Sequence, residues 1–320
     1  MYKITVPATS ANIGSGFDSS GVALRLYNTV YFEKSDRVDI LSLDDTNIPE
    51  DSSNLVYHAA ENLFQLQGFE LKGLMLRQRN NIPMARGLGS SSACIVAGLL
   101  GANALLDNPY TRSELMNIAA GLEGHPDNVI PAFSGGFSTS VISSDNTVKT
   151  ARFDIEQTLY FVALIPPFEL STSVARSVIP KTVLHSDAVY NLSRSGLLTA
   201  AFASKDYRLL KEASKDKLHQ PFRLDIIEGS KEIIEICEAA GALSTYISGA
   251  GSSIMSIVSS NITGFMKEIE LKIKNNPKTE SFKVVCLTAD NTGAVIESID
   301  ETIEDLRFII GKRGSESKCL

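Results

Sequence analysis

The segment IPMARGLGSSSACIVAGLL, residues 82–100, places a loop of glycine and serine directly before an apolar run. Glycine reaches backbone conformations that side chains forbid, and the first N–H groups of a helix lack partners within it. These groups also carry a partial positive charge, so a small-residue loop leading into a helix can close on an anion. The segment predicts a strand–loop–helix unit that binds phosphate; a flexible turn capped by serine is the alternative.

Two common phosphate loops do not match this segment. A Walker A loop ends in Gly-Lys-Ser/Thr, which is absent here. A dinucleotide fingerprint needs a third glycine where this chain has Ser92. Two more loops of small residues, 7–21 (PATSANIGSGFDSSG) and 248–253 (SGAGSS), lie beside predicted strands. Three such loops, far apart in the chain, indicate a site at which the backbone approaches a ligand closely.

Composition and charge limit the class of partner. The chain has 320 residues, of which 43% are hydrophobic and 21% charged, and its net charge is −7. Nucleic acid and anionic membranes require a broad basic surface, so neither is expected as a partner, whereas a nucleotide needs only a few local donors. The longest apolar run, 93–106, is shorter than the roughly 20 residues that span a bilayer. The first residues do not have the pattern of a signal peptide.

The cysteines indicate a reducing compartment. Cys94, Cys237, Cys286 and Cys319 have neither the spacing of zinc ligand pairs nor that of a disulfide framework in a secreted domain. They are expected to be free thiols in a cytoplasmic protein.

Hydrophobic periodicity predicts an α+β chain with two domains. A polar stretch at 147–158 marks the boundary, so the predicted domains are 1–152 and 153–310, and the polar tail 311–320 is predicted to be disordered. The predicted strands are 2–6, 21–34, 71–77, 159–165 and 282–288, and the predicted helices are 55–66, 93–106, 184–204, 207–217, 225–240 and 262–275. Asn54 is the expected N-cap of the helix 55–66, and Thr111 or Ser113 that of a helix reaching about 122.

The three small-residue loops together resemble the motifs of a known family. PMARGLGSSSA is similar to the phosphate loop of the GHMP kinases, which are named for galactose, homoserine, mevalonate and phosphomevalonate. The loops 7–21 and 248–253 match that family's first and third motifs in position and composition. Within the family, the segments that resemble the homoserine kinase branch are VPATSANIGSGFDSSGVAL, EGHPDNVIPAFSGGF, STSVARSVIP, AVYNLSRSGLL and LHQPFR. The resemblance covers residues 6–288.

The resemblance implies a fold and a reaction. The fold is α+β, with an N-terminal domain similar to ribosomal-protein S5 domain 2 and a C-terminal ferredoxin-like domain. The reaction transfers the γ-phosphoryl group of ATP, with Mg²⁺, to the hydroxyl of L-homoserine in threonine biosynthesis. The expected partners are L-homoserine and ATP, and a homodimer is a candidate assembly. Two alternatives stay open: a family kinase for another alcohol such as mevalonate, and a catalytically silent member that binds ligand.

The resemblance also implies which residues hold the nucleotide and its metal. The expected phosphate-binding residues are Pro83, Met84, Ala85, Arg86, Gly87, Leu88, Gly89, Ser90, Ser91 and Ser92, with Gly249 and Gly251 from the third loop. Glu123 matches the metal carboxylate of the family, and Ser91 or a neighbouring serine would complete the protein ligands. Oxygen donors of this kind suit Mg²⁺.

Homoserine carries an ammonium, a carboxylate and a primary hydroxyl, and a site for it must satisfy each group. Asp18 is the expected partner of the ammonium, and Asn12 that of the hydroxyl, although both residue types are also common in turns. Arg176 and Arg223 match substrate-binding arginines of the family, and a planar guanidinium pairs with a carboxylate at two points. Mevalonate has no ammonium for Asp18, so this set favours homoserine.

The segment GHPDN and one threonine supply the remaining candidates. His125 and Asn128 match substrate contacts of the family, and Thr172 matches an active-site position close to Arg176. Asp127 lies where several relatives have a catalytic aspartate and is a candidate base. Because phosphoryl transfer depends mainly on positioning and charge stabilisation, a strong base is not required. Asn128 is therefore the expected residue that orients the hydroxyl.

Overall fold

A computed structural model describes residues 1–44, 46–259 and 261–300. The predicted disordered tail, 311–320, lies outside the described residues, as does Cys319. In chain order, the first elements are β1 (Tyr2–Ala11), β2 (Ser20–Lys34), β3 (Asp39–Ser42), α1 (Leu55–Leu66), β4 (Leu74–Asn80), α2 (Ser90–Leu105), α3 (Arg112–Glu123), α4 (Val129–Ser134), β5 (Phe137–Ile142) and β6 (Val148–Phe153).

The later elements of the described residues comprise six helices, the four strands of a second sheet and a last strand of the first sheet. They are β7 (Tyr160–Ile165), α5 (Thr172–Ser177), α6 (His185–Ser204), α7 (Leu210–Ala213), α8 (Gln220–Leu224), α9 (Ser230–Ala239), β8 (Ser244–Ile247), β9 (Ile254–Val258), α10 (Ile262–Lys274), β10 (Lys283–Thr288) and β11 (Val295–Ser298), with a 3₁₀ turn at Tyr207–Leu209. None of the helices in the described residues is long and apolar enough to cross a membrane.

The first sheet is organised around β2, which pairs with three strands. The sheet has the order β11-β1-β2-β4-β3, and β5 joins β2 and carries β6. The last residues of β2 pair with β4, whereas its first residues, from Ser20 to Val22, pair with β5. A register shift between Pro7 and Ala8 bends the β1–β2 ladder. The last residues of β1 lie beside the loop before α2, because Thr9 N donates a hydrogen bond to the carbonyl oxygen of Leu88.

The apolar run after the glycine loop is a core helix. Nearly every residue of α2 from Ser92 to Ala104 is buried, and the helix packs against α1, α3 and β1. A helix that is apolar on all sides is expected in a core. The helix begins at Ser90 and not at residue 93, because Gly89 serves as its N-cap. The three serines therefore belong to the first helical turn.

The second sheet is antiparallel, with the order β10-β7-β9-β8. Its apolar face packs against α9 and α10 through residues such as Ile233, Phe265 and Ile269. β11 then returns to the first sheet, where it pairs with β1. The predicted division of the chain at 152/153 stays a prediction.

Local capping explains where the predicted helices agree with the structure and where they differ. The helix 55–66 is confirmed, and the Asn54 side chain accepts a hydrogen bond from Val56 N. The predicted helix 207–217 is wrong: the chain forms a 3₁₀ turn and the short α7. The predicted start at 225 is also wrong, since α9 begins at Ser230 after Gly229, whose φ is 77°. Left-handed backbone at Gly229 separates α9 from α8.

Candidate active site

The three small-residue loops meet at the N-terminal end of α2. Thr9 N in the first loop region donates a hydrogen bond to the carbonyl oxygen of Leu88 at 3.1 Å. Gly249 N in the third loop donates to the carbonyl oxygen of Ala11, also at 3.1 Å. The loops thus support one another through their backbones, although they are far apart in sequence.

Two glycines of the phosphate loop are required by this packing. Gly87 and Gly89 have φ of 71° and 72°. A Cβ at Gly89 would lie 1.9 Å from Thr9 Oγ1, and a Cβ at Gly87 would lie 2.1 Å from the carbonyl oxygen of Ser248. The sequence had indicated glycine for close approach to a ligand. The structure adds that glycine lets the loops approach one another, and this contact fixes the direction of the helix N–H groups.

Arg86 anchors the same loop from its outer side. Its Nε donates to the carbonyl oxygen of Pro166 at 3.2 Å, and its Nη2 donates to that of Pro167 at 2.8 Å. An ion pair with the exposed Glu169 spans 3.4 Å. The guanidinium of Arg86 is thus bound to backbone oxygens of the segment after β7. The group of Arg86 that the loop can present to a phosphate is therefore its backbone.

Glu123 is the last residue of α3, and its side chain faces the first turn of α2. Its Oε1 accepts a hydrogen bond from Ser92 Oγ at 2.9 Å, and its Oε2 accepts one from Ser91 Oγ at 3.5 Å. Burial raises the pKa of the Glu123 carboxyl above its usual range, although both serines oppose this shift. A half-buried carboxylate beside two hydroxyls is an all-oxygen donor set, which fits Mg²⁺. Ser92 lies closer to the carboxylate than Ser91.

Asp18 and Arg176 form a bidentate ion pair that lines the same cleft. Arg176 Nη1 and Nη2 donate to the two carboxylate oxygens of Asp18 at 3.0 and 2.8 Å. The hydrogen bonds to Asp18 raise the pKa of Arg176. Both side chains are more than one third exposed, 36% for Asp18 and 38% for Arg176. The pair is therefore accessible from the cleft.

Arg223 is a buried cation. Its Nε donates to the carbonyl oxygen of Ala175 at 3.2 Å, and its Nη1 donates to that of Gly249 at 3.1 Å. Burial lowers its pKa to about 10, and the nearby charge of Arg176 contributes. Across residues 1–44, 46–259 and 261–300, no carboxylate forms an ion pair with Arg223. A buried guanidinium that lines the cleft without an anion is suited to receive one.

The GHPDN turn contributes a second charged pair. His125 Nδ1 and Asp127 Oδ1 are 2.5 Å apart, and Asp127 is buried. Burial alone would lower the pKa of His125, but the hydrogen bond and charge of Asp127 outweigh it and raise the pKa. Asn128 Oδ1 accepts a hydrogen bond from Thr9 Oγ1 at 2.7 Å. One oxygen of Asp127, Oδ1, is therefore already engaged by His125.

Asn12 has a structural part in the first loop. Its Nδ2 donates to the carbonyl oxygen of Gly249 at 2.7 Å, and its Oδ1 accepts from Asp18 N at 2.9 Å. Both ends of the amide therefore connect loop segments and place Asp18. Thr172, the first residue of α5, is exposed and lines the cleft.

The predicted site residues line one cleft, with the exception of Met84. Met84 is 39% exposed and lies in a neighbouring depression with Arg86 and Pro167. The sequence reasoning missed Leu170 and Ala250, which also line the cleft, and two aromatic residues behind it. Phe17 and His219 stack with ring centroids 4.7 Å apart. The spacing of His219 and Arg223 in LHQPFR, one helical turn, was a signal that could have indicated a joint role.

Comparisons with known proteins show the family to which the chain belongs. Residues 54–136 match the family model described as GHMP kinases N terminal domain, and residues 198–263 match GHMP kinases C terminal. A homoserine kinase of Petrotoga mobilis is 42% identical over 298 residues, which cover 92% of this chain and 95% of that protein. A homoserine kinase of Clostridium botulinum (strain Eklund 17B / Type B) is 39% identical over 300 residues, covering 92% and 98%.

A solved structure gives the same result for the fold. The crystal structure of a homoserine kinase from Cytophaga hutchinsonii matches with a TM-score of 0.80 at 29% sequence identity, covering 92% of this chain and 96% of that chain. The α+β fold expected from the resemblance is confirmed. GHMP kinases use ATP as the phosphate donor, generally with Mg²⁺. The chain belongs to the homoserine kinases of the GHMP kinase family.

Proposed function

We propose that this protein transfers the γ-phosphoryl group of ATP to the hydroxyl of L-homoserine and so forms O-phospho-L-homoserine for threonine biosynthesis. One observation carries the proposal: Asp18, Arg176 and Arg223, from three distant segments, converge on the cleft at the N-terminal end of α2. An amino-acid alcohol needs an anion and a cation beside the phosphate donor, and this cleft offers both. The relatives named homoserine kinases support the same substrate.

The nucleotide phosphates would lie against the first turn of α2. The backbone N–H groups of Ser90, Ser91 and Ser92 begin this helix, and Gly89 has no side chain with which to cap them. Aligned peptide dipoles add a partial positive charge at this end. Gly249 and Gly251 would close the other side of the phosphate groups, because the third loop lines the same cleft.

Glu123 with Ser91 or Ser92 would hold Mg²⁺. The fit rests on the orientation of both hydroxyls toward the Glu123 carboxylate, so that three oxygen donors meet at the end of the phosphate loop. When bound, the ion would neutralise negative charge on the phosphate oxygens. The chain's own contribution is to hold Glu123 directed at the first turn of α2 through the hydroxyls of Ser91 and Ser92.

The substrate would replace the ion pair between Asp18 and Arg176 with two new ion pairs. Its ammonium would bind Asp18 and its carboxylate would bind Arg176 and Arg223. Because homoserine brings one charge of each sign, the exchange leaves the net charge of the site unchanged. A carboxylate without an ammonium, as in mevalonate, would separate Asp18 from Arg176 without replacing the cation. This asymmetry favours homoserine among the alcohols that the family phosphorylates.

The remaining residues would position the hydroxyl for attack on the γ-phosphorus. Asn128, Thr172 and His125 line the same cleft as the charged pair and the first turn of α2. Holding two reacting groups in a near-attack geometry can supply a large part of a rate enhancement. Asp127 would act mainly through charge, by keeping His125 protonated and oriented; direct proton removal by Asp127 remains the alternative.

Three broader expectations belong to the same proposal. The protein would act in the cytoplasm, and Cys94, Cys237 and Cys286 are free thiols, as a reducing compartment requires. The chain would divide into domains at about residue 152. It would assemble as a homodimer, which light scattering would test.

A screen of ADP release would test the function. L-Homoserine, mevalonate, galactose and shikimate are offered in turn with ATP and Mg²⁺. We expect turnover with homoserine that exceeds turnover with the other alcohols. A preference for another alcohol would refute homoserine as the substrate. ATP binding without turnover of any alcohol would identify a catalytically silent member of the family.

A further inference from the structure

Arg223 lies on the short helix α8 and His219 is its N-cap residue, one turn earlier; a single carboxylate fixes the start of this helix. Asp216 Oδ2 accepts hydrogen bonds from His219 N at 2.9 Å and from Gln220 N at 2.6 Å, directly before α8. Arg223 N donates to the carbonyl oxygen of His219 at 3.1 Å. Side chains four residues apart share one face of a helix. The two side chains are therefore neighbours by construction.

The hydrogen bonds of His219 fix its tautomer. Its Nε2 is 2.8 Å from the carbonyl oxygen of Gly14, and its Nδ1 is 3.2 Å from Arg223 Nη1. A carbonyl oxygen can only accept and a guanidinium can only donate. Nε2 must therefore carry the proton, and Nδ1 must be an unprotonated acceptor. Neutral His219 connects the first loop to the guanidinium of Arg223.

The surroundings of His219 favour this neutral form. The side chain is fully buried, and burial lowers its pKa. Phe17 covers its ring, with an interplanar angle of 18°, and the same Phe17 ring lies 5.2 Å from Cζ of Arg223. A second proton at Nδ1 would point at the guanidinium, and the positive charge of Arg223 opposes it. The carboxylate of Asp216, 3.6 Å from Nε2, favours the charged form but is engaged by backbone N–H groups.

The guanidinium of Arg223 is held on two of its three nitrogens. Nε binds the carbonyl oxygen of Ala175, and Nη1 is shared between the carbonyl oxygen of Gly249 and His219 Nδ1. In the part of the chain that the structure describes, Nη2 has no hydrogen-bond partner. Nε and Nη1 fix the plane of the guanidinium, and Nη2 is left to bind a ligand.

We propose that His219, through the acceptor Nδ1, is a positioning residue that orients Arg223 toward the substrate carboxylate and thereby sets the preference for an amino acid over its neutral amide. This inference rests on the proposed function, since it assumes that Arg223 binds the carboxylate of homoserine. His219 acts through Arg223 and does not touch the reacting atoms.

Two substitutions separate the two ring nitrogens. In His219→Asn the side-chain oxygen can take the place of Nδ1, whereas in His219→Gln the terminal amide can take the place of Nε2 and leaves Arg223 without its acceptor. Catalytic efficiency is measured for L-homoserine and for homoserinamide, in which the carboxylate is a neutral amide. A hydrogen bond to a charged group corresponds to roughly a tenfold effect or more. We expect His219→Gln to lower the acid-over-amide preference about tenfold, mainly through KM, and His219→Asn to retain most of it.

His219→Asn and His219→Gln are then each combined with Arg223→Ala. If His219 acts through Arg223, His219→Gln will not lower the acid-over-amide preference further in that background. Equal losses for acid and amide in His219→Gln, with the preference unchanged, would show a merely structural role and overturn the proposal. An equal fall of the preference in the Asn and Gln variants would also overturn the role of Nδ1.

The design distinguishes this proposal from the function on which it rests. If the wild-type protein does not phosphorylate homoserine, the proposed function fails, and the role of His219 fails with it. If the wild type does so and prefers acid to amide, but His219→Gln keeps that preference, only the role of His219 fails. Thermal unfolding of each variant identifies loss of fold. If His219→Gln does not fold, His219→Asn is compared with His219→Leu. Retention of the acid-over-amide preference in His219→Asn together with its loss in His219→Leu would support the proposal, and retention in both variants would overturn it.

Discussion

The two ends of the cleft are built in different ways. At the phosphate end, the ligand is expected to meet backbone N–H groups of Ser90–Ser92, which one continuous segment supplies. At the substrate end, the charges of Asp18, Arg176 and Arg223 come from three segments that only the tertiary fold brings together. The first end is fixed by loops that fit against each other, and the second by hydrogen bonds between side chains and distant backbone.

This difference separates structural from functional effects of mutation. At the phosphate end, the same glycines serve loop packing and phosphate access, so a side chain added there must disturb both. At the substrate end, the Asp18–Arg176 pair is accessible and contributes little to folding, so it can be changed with mainly functional consequences, whereas Arg223 is buried. The predictions below test this contrast, in order of decreasing expected effect.

The largest effect is expected for Gly89→Ala. The left-handed backbone at Gly89 and the contact with Thr9 Oγ1 together predict a loss of about 2–5 kcal/mol in unfolding free energy. Urea denaturation measures it. The matched control is Gly121→Ala in α3, where an added Cβ meets nothing within 4 Å. Unchanged stability of Gly89→Ala with loss of ATP binding would mean that Gly89 serves the ligand alone.

The next effect concerns the buried arginine. Arg223→Ala is expected to lower the catalytic efficiency for homoserine by about 10- to 150-fold, which corresponds to roughly 1.5–3 kcal/mol for a hydrogen bond to a charged group. The variant should also discriminate less between homoserine and homoserinamide. Arg223→Lys should restore little, because a point charge cannot replace the planar fork. Arg25→Ala, at an exposed position on β2, is the control.

If Arg223→Ala and the wild type share the same preference for acid over amide, Arg223 does not contact the carboxylate. The substrate end would then need a different anchor, and the contrast between the two ends would lose its main support.

The third effect concerns the metal. Glu123→Ala is expected to raise the Mg²⁺ concentration needed for half-maximal rate about tenfold, a typical consequence of altering a metal site. Ser91→Ala and Ser92→Ala, compared in the same titration, would identify the hydroxyl that acts with Glu123. An unchanged Mg²⁺ titration in Glu123→Ala would place the metal carboxylate elsewhere.

The α+β class, most helices and strands and the phosphate end could be predicted from local patterns, whereas the particular fold came from the resemblance. The cap at Asn54 and the start of α3 at Thr111 follow from side chains that bond their own helix. The prediction of a single helix at 207–217 was wrong. The apolar spacing there is helical, but the side chain of Asp216 accepts hydrogen bonds from the backbone of the following turn. Local periodicity carries no information about such a side-chain cap.

The substrate end could be predicted only through the resemblance. Asp18 and Arg176 are 158 positions apart, and no local rule brings them together. Their direct pairing and the contact between His219 and Arg223 were not foreseen, because both depend on how the first loop packs against α5 and α8. The separation of Met84 from the cleft was also missed, since composition cannot tell which side of a loop faces a ligand.

The smallest effect is expected for the stability of Arg176→Ala. The Asp18–Arg176 pair is more than one third exposed on both sides, and such pairs contribute about 0–1 kcal/mol. Urea denaturation should therefore show a change below about 1 kcal/mol, while the efficiency for homoserine falls clearly. A large loss of stability without a change in activity would assign the pair to the fold and reverse the contrast between the two ends.

The most direct test of the account is a crystal structure with L-homoserine, Mg²⁺ and a non-hydrolysable ATP analogue. We expect the γ-phosphate against the N–H groups of Ser90–Ser92, the substrate ammonium at Asp18, and the carboxylate bound by Arg223. The hydroxyl should face the γ-phosphorus beside Asn128. A carboxylate bound away from Arg223, or an Asp18–Arg176 pair that stays closed with homoserine in the cleft, would contradict the account.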